Sequence, residues 1–134
     1  MYTYYNLMKE QIQNLSEEFF DEIVSVRRHL HMNPELSFEE YEPSKYIKEL
    51  LLSWKIDYED DFENNGISVL IKGNSPDSRV LALRADFDAL PIKEENDVIY
   101  KSRNEGVMHA CGHDAHTSCL LGCLLYTSPR PRAS

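Results

Sequence analysis

Between Gly106 and Thr117 the sequence GVMHACGHDAHT gathers three histidines, one cysteine and one aspartate. Cys111 and His113 flank a single glycine, so a turn through Gly112, which can take backbone angles closed to other residues, directs a thiol and an imidazole at one point. A thiolate and an imidazole are good ligands for zinc or another late divalent metal. Taken in isolation the triplet reads equally as a buried cysteine beside a capping histidine, but His109 and His116 lie close by and Asp114 follows directly. A helix beginning near Asp114 points its first amides back at the cysteine, and that positive end favours a thiolate. The same electrostatics suit a nucleophilic cysteine, so the helix alone does not separate a metal site from a thiol active site.

Two upstream carboxylates tip the balance towards metal. Asp86 and Asp88 close the run RVLALRADFDALP, which begins as a buried strand at Val80 to Leu83. Carboxylates two apart on an extended segment point to the same side, and strand ends are where α/β sheets place their chemistry. Such a pair suits direct ligation or the orientation of a ligand histidine from behind. A thiol protease or acyltransferase needs a base histidine and one orienting group, and has no evident use for two acids. A solvated strand-end turn is the plainer reading of the pair. Cys119 and Cys123 share a helix face at a metal-compatible spacing, but they sit among Leu120, Leu121, Leu124 and Leu125 and read as core.

The elements that must position these groups follow from periodicity. Leu15, Phe19, Ile23, Val26 and Leu30 predict a helix, capped by Asn14 with Glu17 and ended by Asn33-Pro34. Tyr46, Ile47, Leu50, Leu51 and Trp54 predict a second from near Glu42, with Pro43 tolerated in its first turn. From Ile56 the texture changes to short β-rich runs: a turn at Asn64-Asn65-Gly66, a strand over Ile67 to Ile71, a turn over Gly73 to Ser78, and the strand at Val80. SCLLGCLL continues the helix after His113. The pattern predicts an α/β fold, with two amino-terminal helices on a mixed, mostly parallel sheet and the metal motifs at strand ends. Residues 1–124 form one domain. Residues 125–134, LYTSPRPRAS, hold two prolines, two arginines and no acid, and read as a disordered tail foreign to the rest.

Composition sets the outer bounds. A chain of 134 residues with 42% hydrophobic content has the size and core of one domain. The net charge of -9 argues against nucleic acid and anionic membranes as partners, because both are polyanions, and solubility is the plainer reading of it. No apolar run approaches the roughly 20 residues that span a bilayer, and the opening MYTYYNLMKEQ is unlike a signal peptide. Three clustered cysteines are a poor disulfide framework, so reduced thiols and a cytoplasmic location are expected.

Three blocks in order, RRHLHMNPELSFEE (Arg27 to Glu40), LALRADFDALPIKE (Leu81 to Glu94) and GVMHACGHDAHTSCLLG (Gly106 to Gly122), resemble the amino-terminal part of the M20 metallopeptidases. They are most similar to the amidohydrolase branch, which includes N-acyl-amino-acid amidohydrolases, hippurate hydrolases and auxin-conjugate hydrolases, enzymes with a zinc-exopeptidase-like catalytic domain. The resemblance implies hydrolysis of the amide bond of an N-acyl amino acid or short peptide by a water activated at two divalent ions. Zinc, manganese and cobalt all suit the mixed donor set. It implies metal ligands at Cys111 and His113, and a catalytic role for Asp88 beside the metals, orienting a ligand. Asp86 stands where other M20 branches carry a ligand histidine. It also implies a homodimer for the complete enzyme.

The departures are specific. The family's proton shuttle is the first of two adjacent glutamates, and no such pair follows His113, nor any histidine after His116. Glu39-Glu40 and Glu94-Glu95 belong to earlier blocks. The chain therefore reads as an amino-terminal fragment, expected to be inactive alone and to bind zinc weakly through two protein ligands. An M20 aminopeptidase or dipeptidase is the enzymatic alternative, and a non-catalytic metal-binding or redox thiol module on Cys111 the alternative from another class. Arg27, Arg28, His29 and His31 read as cations complementing a helix end, with nothing in the spacing requiring His31 at the metals.

Overall fold

The apolar stripe of the second helix lies in one buried cluster with residues of the third and fourth helices. The computed structural model describes residues 2–61, 65–73 and 79–127. Among them are four helices, α1 (Tyr2–Glu18), α2 (Phe20–Met32), α3 (Tyr41–Ser53) and α4 (His113–Thr127), and two strands, β1 (Glu59–Asp61) and β2 (Gly66–Ser68). Val26 and Leu30 of α2, Ile47 and Leu51 of α3, Trp54 and Ile56 beyond it, and Leu121 and Leu125 of α4 form one buried cluster. The Trp54 indole donates to the Glu22 carboxylate at 2.8 Å, so its polar edge is satisfied while its body packs. No helix among the described residues is long and apolar enough to cross a membrane.

Local chemistry explains most helix ends. The Asn33 amide donates to the carbonyls of His29 and Leu30, and its side chain donates to His29 O at 2.8 Å, after which Pro34 ends the helix. Pro43 sits in the first turn of α3, as its missing N–H allows, and the Glu35 carboxylate accepts the Glu42 amide at 2.9 Å. The start of the first helix differs from expectation. It begins at Tyr2, so Asn14 and Glu17 lie inside α1 rather than capping it. Only Phe19 departs from helical geometry between α1 and α2, and backbone hydrogen bonds run through it from Phe19 N to Leu15 O and from Ile23 N to Phe19 O. Extending an existing helix adds one hydrogen bond for each residue fixed, so good helix formers such as Leu7, Met8 and Lys9 suffice without a strong apolar stripe.

The sheet also departs from expectation. β1 and β2 pair antiparallel, Glu59 opposite Ser68, and the remaining pairings are two isolated bridges, Leu36 with Ala89 in parallel and Leu90 with Met108 antiparallel. Of the strand expected over Ile67 to Ile71, only the start is in the ladder. The turn at Gly73 to Ser78 falls mostly outside the described residues. Val80 and Leu81, expected in a buried strand, are 87% and 81% exposed. An apolar run becomes a parallel strand only when neighbours pair its edges and helices cover its faces, and no described element does either here.

Two further expectations are corrected on α4. Cys119 is exposed and Cys123 half-buried, because the buried stripe of the helix runs through Asp114, Thr117, Ser118, Leu121 and Leu125. Both cysteines line a groove of about 550 Å³ with Ile12, Phe19, Ile23 and Tyr126. The helix also passes the boundary drawn after residue 124, with Leu125 in the core and the Thr127 hydroxyl bonded to Cys123 O. The rest of that tail, 128–134, lies outside the described residues.

Leu30 is completely buried at the centre of the cluster. Leu30→Ala is expected to lower unfolding free energy by about 2–5 kcal/mol, measured by urea denaturation, whereas Leu81→Ala should change it by less than about 0.5 kcal/mol.

Candidate metal-binding turn

The candidate site is built around the start of α4. Leu90 and Met108 exchange backbone hydrogen bonds at 3.0 Å, which brings the incoming chain beside the residues that follow Asp88. The chain then turns through Cys111 and Gly112, and Gly112 has φ +86, the left-handed angle its place between the two donors required. The Gly112 carbonyl accepts the amides of Ala115 and His116, closing the first turn of the helix with His113 at its head. The Thr117 hydroxyl donates to Asp86 O at 2.8 Å and clamps that turn onto the aspartate-bearing segment.

This geometry joins His113 to Asp88. The imidazole Nδ1 lies 2.8 Å from Asp88 Oδ1 and 3.2 Å from the Asp88 carbonyl. A carboxylate facing Nδ1 favours the proton on that nitrogen and leaves the Nε2 lone pair free, the arrangement typical of a histidine presented to a metal. Both residues are about a quarter exposed, so the pair is open to solvent on one side. Asp86 does not join them: its carboxylate pairs with the Arg84 guanidinium at 2.6 Å, and the two acids part company because each finds its own cation or donor. Cys111 is exposed at the turn. His116 is exposed too, its ring centroid 5.9 Å from that of His113. Among the described residues no three His, Cys, Asp or Glu side chains converge to hold a metal ion.

Next to His113 lies a constellation that sequence reasoning missed. Asp114 has no solvent exposure. Its Oδ2 accepts from His31 Nδ1 at 2.6 Å and from Arg27 Nε at 2.9 Å, and its Oδ1 accepts the Ala115 amide. The other His31 nitrogen, Nε2, lies 3.1 Å from Glu94 Oε1, which also accepts from the Asn96 amide. Glu94 Oε2 accepts the Ser102 backbone amide at 2.6 Å. Each His31 nitrogen faces a carboxylate oxygen, and Nδ1 also lies 3.2 Å from Arg27 Nη2. Asp114 and His31 are buried, while the Arg27 side chain, 32% exposed, reaches Asp114 from the edge of the interior. Burial alone would raise the Glu94 carboxyl, but hydrogen bonds from Ser102, His31 and Asn96 outweigh it and hold the group below its ordinary value. The signal available in the sequence was Arg27 and His31, four apart and hence on one helix face.

His109 is 3% exposed, and neither ring nitrogen has a partner among the described residues. Burial lowers its pKa, reinforced by His31 and His113 and opposed by Asp114 and Asp88, so the ring is held neutral.

The model of peptidase family M20/M25/M40 matches residues 82–130, a stretch that holds Asp88 and the Cys111 turn. Over 117 residues the chain is 45% identical to the N-acyl-L-amino acid amidohydrolase of Geobacillus stearothermophilus, covering 87% of this chain and 31% of that protein. It is 46% identical over 117 residues to thermostable carboxypeptidase 2 of Saccharolobus solfataricus, covering 84% of this chain and 29% of that one. Among solved structures, the Bacillus subtilis YXEP protein, a dinuclear metal binding peptidase from the M20 family, matches with a TM-score of 0.77 at 40% identity, over 82% of this chain and 31% of that chain. The chain thus spans about three tenths of the length of the relatives it matches. The likeness shows the expected α/β class, with these helices and the small sheet as part of it.

The sign of the Glu94 contribution fixes a pH dependence. Its native pKa is depressed from 4.5, so its stabilisation is fully present above that value and is lost as pH falls through the lower native value. Urea midpoints of wild type and Glu94→Gln, compared between about pH 7 and about pH 3, are expected to differ most at neutral pH and to converge in acid. A gap that stays constant across the range contradicts the assignment.

Proposed function

Because the chain belongs to peptidase family M20/M25/M40, we propose that Cys111 and His113 are metal ligands of a hydrolase that cleaves the C–N bond of N-acyl amino acids or short peptides. The observation that carries this reading is the 2.8 Å hydrogen bond between His113 Nδ1 and Asp88 Oδ1. A histidine that only caps a helix has no need of a carboxylate fixing its tautomer, and a redox thiol module has no need of one at the residue two beyond its cysteine.

The donor set fits a divalent metal. A thiol, an imidazole with Nε2 presented, and a carboxylate behind that imidazole are the groups zinc takes, and manganese and cobalt tolerate the same mixture. If bound, a pair of such ions, the number named for the Bacillus subtilis relative, would supply Lewis-acid polarisation of an amide carbonyl and lower the pKa of a bound water. The rest is the work of this chain's own residues. Asp88 holds the His113 ring so that its free lone pair keeps one direction, and Gly112 lets Cys111 and His113 flank one point. Thr117 fixes the Asp88 segment to α4, so ligand and orienting acid move together. The carboxylate that would carry the proton to the leaving amine is not supplied by these groups, and the 134-residue chain is proposed to bind metal without sustained turnover.

Titration of the purified chain with cobalt(II) tests the ligand set. Wild type is expected to give a sulfur-to-cobalt charge-transfer absorption that Cys111→Ser abolishes, and Asp88→Asn is expected to weaken binding by about 10- to 100-fold. Cobalt binding indifferent to both substitutions overturns the reading. Assays with N-acyl amino acids and with peptides bearing a free amino terminus distinguish the amidohydrolase from the aminopeptidase alternative in any longer form of the protein that turns over.

A further inference from the structure

We propose that His31 is a positioning residue for the metal-binding turn, holding through Asp114 and Glu94 the two stretches of chain that enter and leave it. The inference rests on the proposed role of Cys111 and His113 as ligands. On the outgoing side, Asp114 is bonded to His31 at 2.6 Å and immediately follows His113, so the position of its carboxylate fixes where α4 starts and how its first turn is rotated. On the incoming side, Glu94 accepts from His31 Nε2 and from the Ser102 amide. The Ser102 hydroxyl donates to Val107 O at 2.7 Å, and the adjacent Met108 forms the bridge with Leu90. One imidazole on α2 thereby sets both approaches to Cys111.

The apolar contacts cannot do this alone. Leu30, Leu121 and Leu125 join α2 to α4, but burial is non-directional and tolerates small slides and rotations of one helix on the other. Hydrogen bonds to named atoms remove that freedom. A largely buried polar network of this kind is also a poor source of net stability, since packed apolar residues of similar volume do as well, and its use lies in direction. Arg27 completes the arrangement: its Nε bonds the Asp114 oxygen that His31 uses, and its guanidinium carbon lies 5.2 Å from the centre of the Tyr100 ring. His31 meets the same ring edge-on, so Tyr100 covers the network from outside.

The test is cobalt(II) binding by the full chain, read by the sulfur-to-cobalt band and by the d–d spectrum, which reports ligand geometry. His31→Gln can donate to only one carboxylate and turns an acceptor on the other. It is expected to retain helix content, weaken binding by about tenfold or more and change the d–d envelope. His31→Gln with Glu94→Gln gives the new side chain an amide donor to accept from, and is expected to recover most of the lost affinity. A wild-type band with a folded His31→Gln chain that binds cobalt unchanged overturns this inference alone. A wild-type chain without the band overturns the metal reading and this inference with it. Should the variants not fold, the wild type still decides, because coupling is reciprocal: saturating zinc must slow exchange of the His31 ring N–H protons, and unchanged exchange refutes the role.

Discussion

Two hydrogen bonds of opposite sense hold the head of α4. At residue 113 an imidazole on the helix is gripped by a carboxylate from outside, Asp88. At residue 114 a carboxylate on the helix is gripped by an imidazole from outside, His31. The two residues are neighbours, yet their partners belong to different parts of the chain, so the first turn is tied in two directions at once. A turn tied in one direction can still pivot. Tied in two, it holds the His113 ring in one orientation.

The remaining structure divides into what gives energy and what gives direction. The cluster of Val26, Leu30, Ile47, Leu51, Trp54, Leu121 and Leu125 is the ordinary apolar source of stability and brings α2 under α4. It is indifferent to which atom faces which. The polar layer above it, Arg27, His31, Glu94 and Asp114, is costly to desolvate and stays favourable only because every charge has an opposite partner and the carboxylate oxygens are bonded. This ordering, apolar beneath and charge-balanced above, places rigidity at the helix head where the candidate ligands sit. The groove beside Cys119 and Cys123 borders this layer, since Arg27 and Tyr100 also line it.

How much of this was legible from the sequence depended on the range of each interaction. The glycine between Cys111 and His113, the stop at Asn33-Pro34, the proline in the first turn of α3 and the helix opening at residue 113 are decided within a few residues, and the sequence displays them directly. Contacts that need a distant partner were not visible. The partners of His31 lie 63 and 83 positions away, and from the helix alone it looked like one more cation at a carboxyl-terminal end. The run at Val80 has the composition of a buried strand, but composition gives only the capacity to be covered, and the covering has to come from other elements. Cys119 was assigned to the core by its leucine neighbours, although the buried stripe of α4 follows Thr117, Leu121 and Leu125 and leaves it aside.

The central claim is that Asp88 sets the tautomer of His113 and so leaves its Nε2 free to bind a metal. Nitrogen-resolved NMR of the His113 ring in the metal-free chain at neutral pH measures this directly. The account requires a proton on Nδ1, protected from exchange, and an unprotonated Nε2. A ring that carries its proton on Nε2, with Nδ1 bare beside the Asp88 carboxylate, contradicts it.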